Sequence, residues 1–471
     1  MFWYISFLRP PPAQSIPSFP ITITPQIAND LRTNLYDNEQ DIYYSWSPTV
    51  LTTKPSSPLK LTTWRQSNAY KELSVPPPFG VREGQSYRLV LCASPNVGPY
   101  IGFTEGSKEF GRTHPFSVIS MPITFTKNAV KAKGKQERIE RVYRFPLPTA
   151  SESTAKVASM KITEQTSFDL DKKIWDSGIG LSSWLADIAK EQIQNPLVQK
   201  LKNVLFSVEA RNVIELGAGT GIVAITLGAL RADCLTAKLV ASLEPGEESS
   251  QQENVGSIYT TDLPSALPLL TQNISSNTHL FRSSVSSLVS SVSSTTPQIP
   301  GRSLVLSPGT ESTAVLDLGC TPIPEVLDWD EPLPEFAHQF GEKGKGRLDM
   351  IIMADVTYNT SSFPSLVKTI RDLVQLGSLS LSTAAGYSED ETKYPLILIG
   401  YKQRDRAERE LFRTLSSQVG FRMTKVDEVP GASRLPGGGK GEGSGSAADS
   451  EEEGRGPVEI WIGELIGREG E

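Results

Sequence analysis

The chain has 471 residues, with 46 Lys and Arg against 53 Asp and Glu, and only three cysteines. That length suits about two to three domains, and a formal charge of −7 argues against the basic face that a nucleic-acid partner requires. Cys92, Cys234 and Cys320 are odd in number and far apart, which argues against a disulfide framework or a thiolate metal cluster and fits a reducing compartment.

Met1 to Leu8 is apolar, but Arg9 and Pro10 to Pro12 follow at once. Without a basic start or a small-residue cleavage site it reads as a disordered terminus rather than a signal peptide. No stretch is long enough to span a bilayer. Residues 1–115 are rich in Pro, Ser and Thr and are broken at Pro76-Pro77-Pro78, which predicts a largely irregular extension with one short strand near Ser86 to Ala93. Phe116 to Thr126, Glu140 to Phe145 and Ala155 to Thr163 alternate as strands do, so residues 116–165 are expected to form a small β addition to a main domain over 166–471.

Within that domain a loop and helix are expected over Asp171 to Lys190, and then strand and helix patterns alternate. Strands fit at Asn212 to Leu216, Ser257 to Asp262, Ala314 to Asp317, Leu348 to Ala354 and Leu396 to Tyr401. Helices fit at Gly221 to Leu230, Leu263 to Asn273 and Arg406 to Val419, and Phe421 to Val426 with Val458 to Leu465 makes a last strand pair. Such alternation implies crossover units on a parallel sheet. Polar, Ser- or Gly-rich stretches near 238–256, 283–312, 377–394 and 437–456 are expected to be disordered insertions.

The run Glu215-Leu216-Gly217-Ala218-Gly219-Thr220-Gly221 carries the chemistry. Three alternating glycines after a strand permit a tight turn and close approach of a ligand to the main chain. The spacing is G-x-G-x-G, and Ile222 stands where a dinucleotide loop needs its third glycine. Glu215 before the first glycine disfavours a phosphate and suits a cationic ligand such as S-adenosylmethionine. Asp262 closes the second strand, where a carboxylate can bind ribose hydroxyls or cap the following helix. Trp329 in Leu327-Asp328-Trp329-Asp330 and Trp175 in Ile174-Trp175-Asp176 could flank an adenine or simply pack. Ala354-Asp355-Val356-Thr357-Tyr358 puts a carboxylate and a phenol at the end of the fourth strand, where Asp355 could also cap a helix starting near Ser361.

Trp175, Glu215 to Gly221, Thr261 to Pro264, Asp328-Trp329, Asp355 to Tyr358 and Gly400 to Arg404 together resemble the class I, seven-β-strand methyltransferases of the family-16 type, most of which act on protein lysines. The likeness spans about residues 160–465. It implies an α/β fold with a Rossmann-like, seven-stranded, mostly parallel sheet, and S-adenosyl-L-methionine as cofactor. On this sequence Trp175, Gly217, Ala218, Gly219, Gly221, Asp262, Trp329 and Ala354 would line the cofactor site, with Glu215 near its methionine part. Asp355 and Tyr358 would face the lysine of a protein substrate, and no metal is implied. The resulting expectation is a monomeric cytoplasmic enzyme, also nuclear, with neither nucleic acid nor membrane as partner. A small-molecule N-methyltransferase and a non-catalytic binding protein on a relict fold stay open as alternatives, and an NAD-dependent oxidoreductase is the weakest.

Overall fold

The structure is a computed structural model that describes residues 1–50, 55–96, 98–103, 110–128, 135–148, 156–166, 170–207, 209–242, 256–284, 304–306, 314–317, 319–341, 346–381, 395–431 and 456–466. Their contacts divide into two units. The first draws on Met1–Arg144, Lys161–Asp176 and Pro430–Gly445, and the second on Phe145–Met160, Ser177–Val429 and Ser446–Glu471.

The first unit corrects the expectation of an irregular extension. Tyr4–Arg9, Ile21–Ala28 and Leu73–Val75 form an antiparallel sheet. A larger sheet is centred on Ser86–Cys92, which pairs antiparallel with Gln40–Pro48, Val118–Ser120 and Ile123–Phe125. Ile5, Ile23, Trp46, Leu89, Leu91 and Phe125 share one buried cluster. The prolines misled because they sit where a ladder tolerates them. Pro25 lies beside the register slip between Phe7 and Arg9, and beyond the residues that pair with Leu73–Val75. The strands over 116–146 are likewise not an addition to the second unit: Ile123–Phe125 also pairs with Gln14–Ser15, and Arg138–Pro146 with Tyr100–Gly102.

Nor is the apolar start a loose end. Phe2 is fully buried, its amide donates to Asp176 Oδ2 at 2.9 Å, and Tyr4 Oη donates to Asp176 Oδ1 at 2.6 Å. Gly431, at φ 64°, packs so closely on the Met1 backbone that an added Cβ would lie 2.7 Å from the Met1 carbonyl oxygen. Nearby in the same unit, buried Arg141 donates to Glu164 and to the carbonyls of Ser117 and Ile5.

The second unit is built on a seven-stranded sheet. In chain order its strands are β1 (Asn212–Leu216), β2 (Ile258–Asp262), β3 (Ile323–Val326), β4 (Leu348–Ala354), β5 (Leu396–Tyr401), β6 (Phe421–Val429) and β7 (Val458–Leu465), arranged in space as β3-β2-β1-β4-β5-β7-β6. Every pair from β3 to β5 is parallel, and β7 runs antiparallel to both of its neighbours. The order reverses between β1 and β4, and ligands bind beyond the carboxyl ends of strands at such a reversal.

Among the described residues, five helices of ten or more residues accompany this sheet: α1 (Asp176–Lys190), α2 (Pro196–Phe206), α3 (Ile222–Ser242), α4 (Leu267–Ser276) and α5 (Phe363–Leu381). Alternate residues of the central strands serve opposite faces. Ile214, Leu216, Ile351, Met353, Ile397 and Ile399 meet Phe363, Leu366, Val367 and Ile370 of α5 in one core. On the other face, a Cβ at Gly400 would lie 3.0 Å from Leu181 Cβ of α1, and one at Gly180 would lie 2.9 Å from Val458 of β7. Those two glycines let helix and sheet approach.

Three further expectations change. Ala314–Asp317 is not the third strand of the main sheet. It pairs with Arg282–Ser284 and Leu304–Leu306 in a small antiparallel sheet, so the 283–312 stretch is not structureless throughout. The expected helix over 406–419 is a 3₁₀ turn at Arg406–Arg409, an α turn at Glu410–Thr414 and a π turn at Leu415–Val419. Finally, α3 and α5 run on into two of the expected insertions, whose remainders at 243–255 and 382–394, with 432–455, lie outside the described residues.

Candidate active site

Five segments leave the carboxyl ends of β1 to β5, and the sequence-predicted residues other than Trp175 lie at these strand ends or on the segments that follow. Gly217, Gly219 and Gly221 adopt φ of 69°, 54° and 78°, a region that residues with a side chain avoid. The turn's backbone is held from within and by both neighbours: Gly221 N donates to Ala218 O at 2.8 Å, Ala218 N to Thr261 O of β2 at 3.0 Å, and Asn273 Nδ2 of α4 to Thr220 O at 3.0 Å. A Cβ at Gly221 would lie 2.4 Å from Leu270 Cδ1, and one at Gly217 would lie 3.0 Å from Val356 and 3.4 Å from Trp329. The loop is thus a backbone-lined cradle that any side chain would fill.

Asp262 ties β2 to this loop. Its Oδ2 accepts from Gly219 N at 2.6 Å and its Oδ1 from Leu263 N at 2.7 Å. It does not cap α4, whose first turn starts after Ala266, so the capping alternative falls away. An ionised carboxylate has about four acceptor positions, so further donors, such as ribose hydroxyls, can still be met. Leu327 N donates to Asp262 O at 3.1 Å, and this bond brings the β3 segment with Trp329 over Gly217.

Glu215 is buried in β1. Its carboxylate accepts from Thr260 Oγ1 at 2.6 Å, and Thr261 Oγ1 donates to its carbonyl at 2.7 Å. Desolvation pushes its carboxyl up to about 8, opposed by the Thr260 bond and by one from the Ala224 amide. A cation placed beside it would favour the ionised form.

Ala354 ends β4, and Asp355 follows with φ 61°, one of two non-glycine residues with positive φ among those described. Its amide donates to Gly400 O at 3.3 Å. Both carboxylate oxygens are engaged by Arg404: Nη2 donates to Oδ2 at 2.7 Å and Nη1 to Oδ1. Asp355 does not cap the next turn, because Asn359 does so through Ser361 N. Tyr358 is 57% exposed at the mouth of this step. Sequence reasoning named Arg404 only as part of a motif. Its pairing needs the fold, because the two residues are 49 apart in the chain.

The structure therefore brings together Glu215, Gly217, Ala218, Gly219, Gly221, Asp262, Trp329, Ala354, Asp355 and Tyr358 at one edge of one sheet. Trp175 is half-buried in the segment before α1 that clusters with the first unit. Among the described residues no group of three His, Cys, Asp or Glu side chains could hold a metal ion, and no helix is long and apolar enough to cross a membrane.

A parallel sheet with a glycine cradle and a strand-end carboxylate defines a nucleoside-cofactor enzyme. The family model described as lysine methyltransferase matches residues 155–291 and 322–418, and the chain belongs to that family. Membership of this methyltransferase family carries S-adenosylmethionine as the cofactor. The chain is 24% identical over 244 residues to the Saccharomyces cerevisiae protein-lysine N-methyltransferase EFM6, covering 51% of this chain and 70% of that one. It also aligns with a putative SAM-dependent methyltransferase from Streptococcus mutans at 9% identity and TM-score 0.27, covering 71% and 57% of the two chains. A further alignment is with SMU.776, a putative methyltransferase complexed with SAH, at 9% identity and TM-score 0.26, covering 73% and 60%.

Proposed function

We propose that this enzyme methylates the side-chain amine of a lysine in a protein substrate. One contact carries the reading. Val356, inside the Asp355–Tyr358 step, lies against Gly217 of the cofactor loop, so the residues for donor and acceptor are neighbours. The name of the yeast relative supports the same substrate class.

When bound, S-adenosylmethionine supplies a methyl group on a positively charged sulfur, already activated for displacement. The backbone of Gly217, Ala218 and Gly219, the Asp262 carboxylate and the Trp329 indole hold it. Asp355 and Tyr358 then orient the acceptor amine, which is most of what an in-line displacement asks of a protein. A free lysine has a pKa of about 10.4, so only about one in a thousand is neutral near pH 7. Displacing water from the amine beside a positive charge lowers that value. The enzyme is proposed to act as a monomer in the cytoplasm and nucleus, in keeping with cysteines none of which forms a disulfide.

The test is transfer of tritiated methyl label in a lysate from cells lacking the gene. Label on protein bands, traced to lysine by mass spectrometry, is the expected result. Label confined to the small-molecule fraction would give the small-molecule N-methyltransferase instead. Asp355→Ala with unchanged turnover and a native melting temperature would remove Asp355 from the site.

A further inference from the structure

A carboxylate that meets a lysine amine presents a difficulty. It orients the group, but its negative charge also holds the proton on, and the protonated amine cannot attack. The surroundings of Asp355 bear directly on this. Its side chain is 5% exposed and that of Arg404 is 11% exposed, so the pair is shielded from water. The guanidinium spans both carboxylate oxygens, a fork-to-fork match that lysine cannot make. Asp355 is held by this grip in a left-handed backbone conformation that costs about 1–3 kcal/mol and persists only where surrounding structure imposes it.

The charged and titratable groups around the pair fit one arrangement. Arg404 N donates to Glu408 Oε2 at 3.0 Å, and Arg404 Nη1 lies 3.5 Å from the carbonyl of buried Lys402. Burial holds Glu408 above the ordinary carboxylate range, so it is the weaker claimant on the guanidinium charge. Burial and the Glu408 carboxylate raise the Tyr401 phenol, Arg409 lies 5.1 Å over the Tyr401 ring, and Tyr358 is exposed. Asp355 is therefore the carboxylate that Arg404 neutralises.

We infer that Arg404 is a positioning residue that acts through Asp355, closing its carboxylate into a neutral pair so that the site offers the substrate amine an acceptor without a net negative charge. The inference rests on the reading that Asp355 faces that amine. The ammonium gives its proton to water, the amine lone pair then forms the new N–C bond, and the C–S electron pair leaves with sulfur. Arg404 favours the first of these events, because a neutral pair does not hold the ammonium form as a bare carboxylate would.

Two measurements test this, one without cofactor or substrate. In Arg404→Gln the Asp355 carboxyl stays buried but loses its guanidinium partner, so its charge becomes costlier as it ionises. The melting-temperature deficit against wild type should be smaller near pH 4 than near pH 8, and should lose this pH dependence in Arg404→Gln/Asp355→Asn. In label transfer to lysate protein, the pH of half-maximal activity should move up by about one to three units in Arg404→Gln. Arg404→Lys keeps the charge and should hold the wild-type position at lower turnover; this variant also serves if the Gln variant does not fold. A deficit independent of pH, or transfer lowered by one factor at every pH, overturns the inference. Full turnover by Asp355→Asn overturns the placement of Asp355 at the amine, and the inference with it. Lost turnover in that variant without a pH-dependent gap overturns the inference alone.

Discussion

Gly221 shows how little freedom the cofactor turn leaves. Its φ of 78° excludes most side chains, and Leu270 Cδ1 stands 2.4 Å from where a Cβ would go. Strain of this kind and overpacking each cost about 1–3 kcal/mol. Gly221→Ala should therefore lose about 2–6 kcal/mol in urea unfolding, and should lose only the strain part of this when made in a Leu270→Ala background. Glu215 makes the opposite demand, on charge rather than shape. Its folded carboxyl lies at about 8 against an ordinary 4.5, so between those values the folded chain holds a proton that the unfolded chain has lost. The stability this gives is complete below about pH 4.5 and is lost as pH rises through about 8. Wild type and Glu215→Gln should melt together near pH 5, and the Gln variant should melt higher at pH 8.

At the scale of elements, α2 depends on its neighbour. Arg231 of α3 is buried and donates to Leu205 O at 2.9 Å and to Glu209 O at 3.2 Å, closing the carboxyl end of α2. The Leu205 carbonyl would otherwise be an orphan of the last turn, and the Glu209 bond ties down the chain just beyond it. Arg231→Leu should cost about 1–3 kcal/mol, seen as a lower urea midpoint at an unchanged slope.

The elements legible in the sequence were those with a strong local signal. Leu348 to Ala354 and Leu396 to Tyr401 are almost wholly apolar, as strands covered on both faces must be, and both were located to the residue. The third strand was misplaced. Ala314 to Asp317 has the apolar run, whereas Ile323–Val326 contains a proline and a glutamate and is only half-buried at the sheet edge. The loop residues Gly217 to Gly221 and Asp262 carried their site in their spacing. Arg404 did not, because its meaning lies in a partner that only the β4–β5 pairing supplies.

For the whole molecule, the informative error is the first unit. Alternation in short, Thr-containing strands is weak beside a Pro-rich composition, and its non-local pairings leave no mark in any one window. Ser86–Cys92 joins strands from both sides of the boundary once expected near residue 115. A chain beginning at residue 116 would leave Val118–Ser120 and Ile123–Phe125 without that central partner and with apolar edges open. It should aggregate on size-exclusion chromatography where the full chain does not.

The contact between Gly431 and Met1 has a consequence in time. The chain leaves the first unit after Asp176 and returns to it at Pro430, with the bulk of the second unit in between. During synthesis at about 5–20 residues per second, the returning residues emerge roughly 13–50 s after Asp176. For that interval the amino-terminal backbone waits on the ribosome without its last cover. In nascent chains stalled before residue 430 the backbone around Met1 should be cut by an added broad-specificity endoprotease, and in chains stalled well past it that backbone should resist.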